Sequence, residues 1–493
     1  MGFTPTEEQR AIYNEFKHGK GHVVVIARAG VGKTTTAITG VRYAPEERVL
    51  FTCFNKRIAV EGNRVLDKLK ISNAEFNTLH SLGLKAVRRY WGNVRINPSR
   101  RDTLTNVVCG DVPVEVAKLV TKLHCQAREI LPHATVAEDL YDLAEQFECV
   151  PSLELDAEGF GLDYVCRKAV HAMGVAADIK PPDGVIDFHD MIFLPVRNKW
   201  MSKSYDMVVV DEAQDLTVAK LELAQGVCKG RMFVIGDDKQ AIYGFCGADS
   251  SSLFRLEQEL NAKVLHLTRT FRCGKAIVEE AKQFVPDFQA ADSNHEGEIR
   301  DIPSEDLISQ AEPGDFVLSR TNAPLVSMAL KLLKADKRAR IAGKDIGKGL
   351  IALVSKMRAR SVPDFLKRVQ AWADREQRRL KSRYAKNKEA LEQRLEVVED
   401  QSDILSTVAQ GCQNVNAIVR RIEGLFTDDG LGDASVITCS SVHKAKGLEA
   451  ERVFILAETL RGSTDEERNI QYVAITRAIR ELVYVGRPNA TAS

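Results

Sequence analysis

The stretch VVVIARAGVGKTTTA, residues 23–37, decides the fold. It continues the run HVVVIA (22–27), apolar after His22 and bounded by Gly21, which reads as a strand buried in a parallel sheet. Gly30, Gly32, Lys33 and Thr34 follow as AxxGxGKT, with Ala27 where the stricter form of this pattern has glycine. TTTAITGVRY then reads as a helix. A strand, a glycine-rich turn and a helix in that order form a phosphate-binding loop. The backbone N–H groups across Ala29, Gly30, Val31, Gly32, Lys33, Thr34 and Thr35 can curl round phosphates. Lys33 can neutralise β/γ oxygens, and the Thr34 hydroxyl can face Mg²⁺.

Such a loop needs a carboxylate at the end of a neighbouring strand. MVVVDEAQD (207–215) supplies one: the apolar run ends at Asp211, placed to hold the metal, and Glu212 follows, placed to polarise an attacking water. An ordinary acidic strand end is the plain alternative, and the loop upstream argues against it. Hydrolysis also calls for positive charge on the departing phosphate. Arg272 in LTRTFRC and Arg477 in QYVAITRA are the candidates, with a surface salt bridge as the competing explanation for each.

The other apolar runs extend the pattern outward. RVLFTCF (48–54), YDMVVVDE (205–212), RMFVIGD (231–237) and KVLHL (263–267) read as further strands separated by helical segments, the signature of a doubly wound parallel sheet. Residues 85–180 are mostly helical and look like an insertion. A second α/β signal, taken to begin at 263, includes DFVLSRTN (315–322), SVITCSSVH (435–443) and RVFILAE (452–458). It is interrupted by a shorter helical insertion at 351–430. There Leu380, Tyr384, Leu391, Leu395 and Val398 recur at helical spacing. Lys and Arg outnumber Asp and Glu across 356–394, so this segment is either a solvated helix packed on its neighbour or an arm facing nucleic acid.

Bulk properties exclude several classes. The 493 residues carry a formal net charge of +1, so nucleic-acid binding would have to come from local patches. No apolar run is long enough to span a membrane. The ten cysteines are scattered without a CxxC pair, which argues against zinc or iron–sulfur sites and fits a reduced intracellular setting.

Taken in order, the motifs resemble those of the UvrD/Rep-type superfamily 1A DNA helicases. FTPTEEQR resembles the adenine-reading Q motif through Gln9, and ARAGVGKT is similar to motif I. LFTCFNKRIA (50–59), FNTLHSLG (76–83), DEAQD, GDDKQAIYGFCGA (236–248), LTRTFRC, SRTNAPL (319–325), SSVHKAKGLEAERVFI (440–455) and EERNIQYVAITRA (466–478) resemble the succeeding motifs. IDFHDMIFLP (186–195) is similar to the segment before motif II. FNKRIAVEG, TLHSLG and DFHDMIFLP also resemble the F-box DNA helicase branch. The resemblance implies two RecA-like P-loop cores facing each other across ATP. One would comprise 1–84 with 181–262, the other 263–350 with 431–493, each carrying its helical insertion.

By position, the resemblance implies that Gln240 senses the γ-phosphate, Phe271 stacks on adenine and Glu449 lies near the ribose and phosphates. Arg272 and Arg477 would reach the γ-phosphate. Phe54, Asn55, His80, Tyr243, Phe245, Arg320 and His443 would line a single-strand groove. Motif III departs from the family's usual wording, with Phe245 for Trp and Cys246 for Arg. The implied activity is ATP-dependent 3′-to-5′ DNA unwinding in repair, recombination or replication, with ATP and Mg²⁺. The partners would be single-stranded DNA, single-/double-strand junctions, and recombination or replication proteins. A translocase that strips proteins from single strands uses the same motor. A nucleotide-dependent switch without sustained turnover is a third alternative.

Overall fold

A computed structural model describes residues 4–53, 55–178, 180–242, 252–384, 388–427, 434–460, 462 and 464–487. The chain divides into two compact units, Met1–Arg28 with Gly32–Leu267, and Thr268–Ser493 together with the loop residues Ala29–Val31.

The first unit is built on six parallel strands. Their spatial order is Ala74–Thr78, Val49–Cys53, Tyr205–Val210, Cys228–Gly236, Val23–Ala27 and Lys263–Leu267. The central strands are apolar on both faces because helices cover both. The opening helix, Glu7–His18, shows how local sequence sets an element. Thr6 caps it in a reciprocal box with Gln9, acids occupy its first turn and Lys17 and His18 its last. Ile12 and Phe16, four residues apart, face inward, and Phe16 stacks on Phe233 with centroids 3.9 Å apart.

Lys263–Leu267 pairs with Val23–Ala27 at the edge of this first sheet. Starting the second α/β region at 263 therefore put that strand in the wrong sheet. An apolar run reports burial but not which sheet buries it. The first insertion forms its own core round Leu104, Val120, Leu123 and Val165, continuous with Phe193 and Leu194 of helix Phe188–Arg197. It is not purely helical: Arg95–Ile96 pairs with Val185–Ile186, a strand too short to leave an apolar run. The expected edge at 84/85 falls inside helix Leu79–Trp91.

The main sheet of the second unit has seven parallel strands among the described residues. They run Glu298–Ile302, Ala478–Val485, Ala450–Leu456, Phe316–Ser319, Ile437–Ser441, Ala339–Ala342 and Phe426–Thr427 across the sheet. Its insertion is no single amphipathic helix. Val362–Arg383 and Lys388–Ala409 pack on each other as separate helices. Leu380, Tyr384 and Val398 are buried in the same core as the sheet residues Val317, Ile341 and Phe454. The helical spacing thus marked a packing stripe. No helix among the described residues is long and apolar enough to cross a membrane.

One contact fixes how helices Leu79–Trp91 and Phe188–Arg197 cross. A Cβ on Gly83 would lie 1.8 Å from the Met191 carbonyl oxygen. Only the bare backbone fits, so the final glycine of FNTLHSLG is a packing requirement. Gly83→Ala is expected to cost about 1–3 kcal/mol of stability by overpacking. Urea unfolding of the purified variant measures it; an unchanged midpoint would mean the helices part freely.

Candidate nucleotide site and strand-end surfaces

The candidate residues of the first unit gather at the carboxyl ends of its parallel strands, where open α/β sheets bind ligands. After Val23–Ala27 the chain turns through Gly30 and Gly32, at φ of 66° and 76°, and enters helix Lys33–Val41. Both glycines occupy the left-handed region that side chains resist. Lys33 and Thr34 thereby meet the end of Tyr205–Val210, the strand next but one in the sheet, beyond Cys228–Gly236. Lys33 Nζ lies 2.9 Å from Glu212 Oε2, and Thr34 Oγ1 lies 2.5 Å from Asp211 Oδ2. Thr35 is exposed beside them, while Ala29 and Val31 are buried.

The electrostatics follow from burial. Burial works against the Lys33 ammonium, but Glu212, Asp211 and Asp237 outweigh it and hold its pKa above the ordinary value. Burial, with Glu212 beside it, pushes the Asp211 carboxyl up, against the pull of Lys33 and Thr34. Asp237 is likewise raised by burial, and Arg28 opposes it through a 3.1 Å ion pair. Arg28 also reaches Asp238 at 2.6 Å. It stands in the loop where the related pattern often has glycine, and here it is a clamp on the next strand end.

The motif assignments did not single out Gln214. It donates to Glu212 Oε2 at 2.7 Å and accepts from the Asp237 backbone N–H at 3.0 Å, tying two strand ends together. It lies inside DEAQD, but only the fold shows that its amide spans the gap. Gln240 is buried in the turn that follows, its N–H bonded to the Asp237 carbonyl. Gln9 accepts from the Thr6 N–H and donates to Thr36 Oγ1 at 3.3 Å, joining the first helix to the one after the phosphate loop.

The donor set fits magnesium. One hydroxyl and one carboxylate, both hard oxygens, converge and leave the remaining positions to water and phosphate, as this ion prefers. Among the described residues no cluster of three or more His, Cys, Asp or Glu offers a self-sufficient metal cage.

In the second unit, three predicted residues converge. Arg272 Nε lies 2.5 Å from Glu449 Oε2, and its Nη1 donates to the Thr476 carbonyl. Arg477 is buried, its guanidinium donating to the Val473 and Leu448 carbonyls and to Thr476 Oγ1. Phe271 is exposed next to them. Arg320 follows strand Phe316–Ser319 and pairs with Glu467 at 2.9 Å; His443 follows the adjacent strand Ile437–Ser441.

Asn55 and His80 likewise follow adjacent strands of the first sheet. Asn55 caps helix Lys56–Lys68. His80 stands edge-on to Phe188 at 6.5 Å, and burial with Lys220 nearby holds its pKa below the ordinary value. Phe54, Tyr243 and Phe245 lie outside the described residues.

Parallel sheets, a glycine loop opening a helix and an acid pair at the end of the strand next but one define a RecA-like P-loop fold. The UvrD/REP helicase N-terminal domain model matches residues 6–261, more than half of the chain, and the UvrD-like helicase C-terminal domain model matches 436–485. The chain belongs to the UvrD/REP helicase family. It is 26% identical over 294 residues to the ATP-dependent DNA helicase Rep of Escherichia coli, covering 53% of this chain and 40% of that protein. It is 23% identical over 300 residues to the ATP-dependent DNA helicase PcrA of Staphylococcus aureus, covering 57% and 39%. To the F-box DNA helicase 1 of Gallus gallus it is 23% identical over 530 residues, covering 96% and 48%. The chain thus spans about half the length, or less, of these relatives.

The raised Asp211 pKa carries a sign. A carboxyl whose pKa rises on folding costs stability at pH values above its unfolded value, about 4, and the cost vanishes below it. Asp211→Asn, without added nucleotide, is therefore expected to melt above wild type at pH 7, with the gap closing toward pH 4. A lower melting temperature at pH 7 would show that the bonds to Thr34 and Lys33 outweigh burial.

Proposed function

We propose that this chain is an ATP-driven DNA helicase moving 3′ to 5′ along single-stranded DNA in repair, recombination or replication. The observation that carries the reading is the pairing of Lys33 with Glu212 and Thr34 with Asp211 at the sheet's carboxyl edge. Family membership and the names of its relatives support it.

In this reading Lys33 exchanges the Glu212 carboxylate for β/γ-phosphate oxygens. Glu212, still oriented by Gln214, is then free to polarise the attacking water. Thr34 and Asp211 would hold Mg²⁺, which supplies charge neutralisation to the phosphates when bound. Gln9 and Phe271 take the adenine and Glu449 the ribose side. Gln240 senses the γ-phosphate. Arg272 and Arg477 counter the charge that develops there. Asn55, His80, Arg320 and His443, with Phe54, Tyr243 and Phe245, contact the strand. A ligand shifts a conformational balance only by binding one state better than another; contacts to the γ-phosphate provide that difference and are lost on hydrolysis.

The proposed division keeps two cores, each with its helical insertion, but leaves Lys263–Leu267 with the first. A protein-stripping translocase is the second reading. The observation favouring it is that, among the described residues, the short insertion packs into the same core as the second sheet.

Lys33→Ala should abolish ATP turnover. Arg272→Ala should lower kcat by about 10³ with the KM for ATP little changed, because its contact matters most in the transition state. ATP-driven strand separation on partial duplexes with a 3′ or a 5′ tail tests the direction. Unwinding of the 5′-tailed substrate alone would overturn it, and full turnover in Lys33→Ala would overturn the site.

A further inference from the structure

We propose that Glu129, on the first helical insertion, is a positioning residue for the turn carrying Glu212 and Gln214, and couples that turn to the surface bearing His80 and Phe188. The inference rests on the reading that Glu212 serves ATP hydrolysis.

Glu129 lies at the end of helix Val114–Ile130 and is 9% exposed. Its Oε2 accepts from Thr217 Oγ1 at 2.8 Å and from Lys220 Nζ at 3.0 Å. Its Oε1 lies 3.3 Å from His189 Nδ1. Thr217 stands at the N-cap of helix Val218–Val227, where a threonine hydroxyl ordinarily accepts from the first turn. Here it makes no capping bond and is turned to Glu129 instead.

The path onward is short. Two residues before Thr217 the 3₁₀ turn Ala213–Asp215 ends, closed by the Asp215 and Leu216 N–H groups. That turn carries Gln214, which holds Glu212 and the Asp237 backbone.

The preceding residue makes the matching grip on the other side. Arg128 is fully buried and donates to Asp187 and, at 2.7 Å, to Asp190. Those acids form the capping box of helix Phe188–Arg197, whose first residues are Phe188, exposed and edge-on to His80, and His189. Consecutive residues of one helix thus hold the starts of two others.

The charges support a stiff link. Burial works against the Glu129 carboxylate, but His189 and Lys220 outweigh it and hold its pKa well below the usual range. Burial works against the His189 cation too, yet Cys125 and Glu129 push its pKa to about 9 despite Arg128, so it is charged at neutral pH. Separating these charges would leave the mostly buried Glu129 carboxylate uncompensated, although His189 keeps about a third of its side chain in solvent. Movement of Phe188 and His189 when a base stacks would therefore be carried to Thr217.

The test uses Glu129→Gln, which keeps size and an acceptor but loses charge, with Thr217→Val and the double variant. ATP turnover is measured with and without oligothymidylate, with melting temperature and hydrogen exchange at residues 212–218. The expectation is that DNA-stimulated kcat falls at least tenfold and more steeply than turnover without DNA, so the stimulation ratio drops in the folded variants, and the double variant is no worse than the worse single. An unchanged stimulation ratio in folded variants would overturn the coupling. So would loss of both rates in proportion to the unfolded fraction. Absence of turnover in the wild type would instead sink the functional reading, and exchange then decides the positioning role: faster exchange at 212–218 in Glu129→Gln sustains it, unchanged protection removes it.

Discussion

The first unit is organised round one ammonium group. Lys33 stands at the end of a sheet buried on both faces, and three carboxylates, Glu212, Asp211 and Asp237, face it from two other strand ends. Lys33 and Asp237 are too buried to hold their charges unpaired, while Glu212 keeps about half its side chain in solvent. Loop, strand register and acid pair are therefore mutually required. The Gly30–Gly32 turn aims Lys33, the parallel pairing of Tyr205–Val210 and Cys228–Gly236 brings the acids level with it, and Gln214 and Arg28 hold those acids in place.

The second unit repeats the sheet with a different charge logic. Arg272 meets Glu449 and Arg477 is held by backbone carbonyls, so segments that are 28 or more residues apart in sequence share one small region around Thr476. Glu449 and Arg477 reach it because Ala450–Leu456 and Ala478–Val485 are neighbouring strands. A surface arginine chosen for its charge alone would not be anchored in this way.

Much of this was legible beforehand. Strands buried on both faces leave continuous apolar runs, so the central strands of both sheets could be read directly, as could Lys33, Thr34, Asp211 and Glu212 at their ends. What escaped was set by partners far along the chain. Glu298–Ile302 is an edge strand with three charged residues among its five, so it leaves no continuous apolar run. Lys263–Leu267 could be recognised as a strand but not assigned to a sheet. The pairing of Arg128 with Asp187 and Asp190 spans about sixty residues and has no periodicity to betray it. Gln214 was in plain view, yet nothing local distinguishes an amide that bridges two strands from one that faces solvent.

Glu212 also has a backbone cost. Its φ is 51°, in the left-handed region, where an ordinary residue loses roughly 1–2 kcal/mol relative to its relaxed conformation. Glycine would sit there without strain, and asparagine with less than most. Either replacement would relax the main chain but leave the Lys33 ammonium without its 2.9 Å partner. The acid is thus retained against the local preference of its own main chain. Relief of main-chain strain and loss of the ion pair with Lys33 thus pull in opposite directions at this one position.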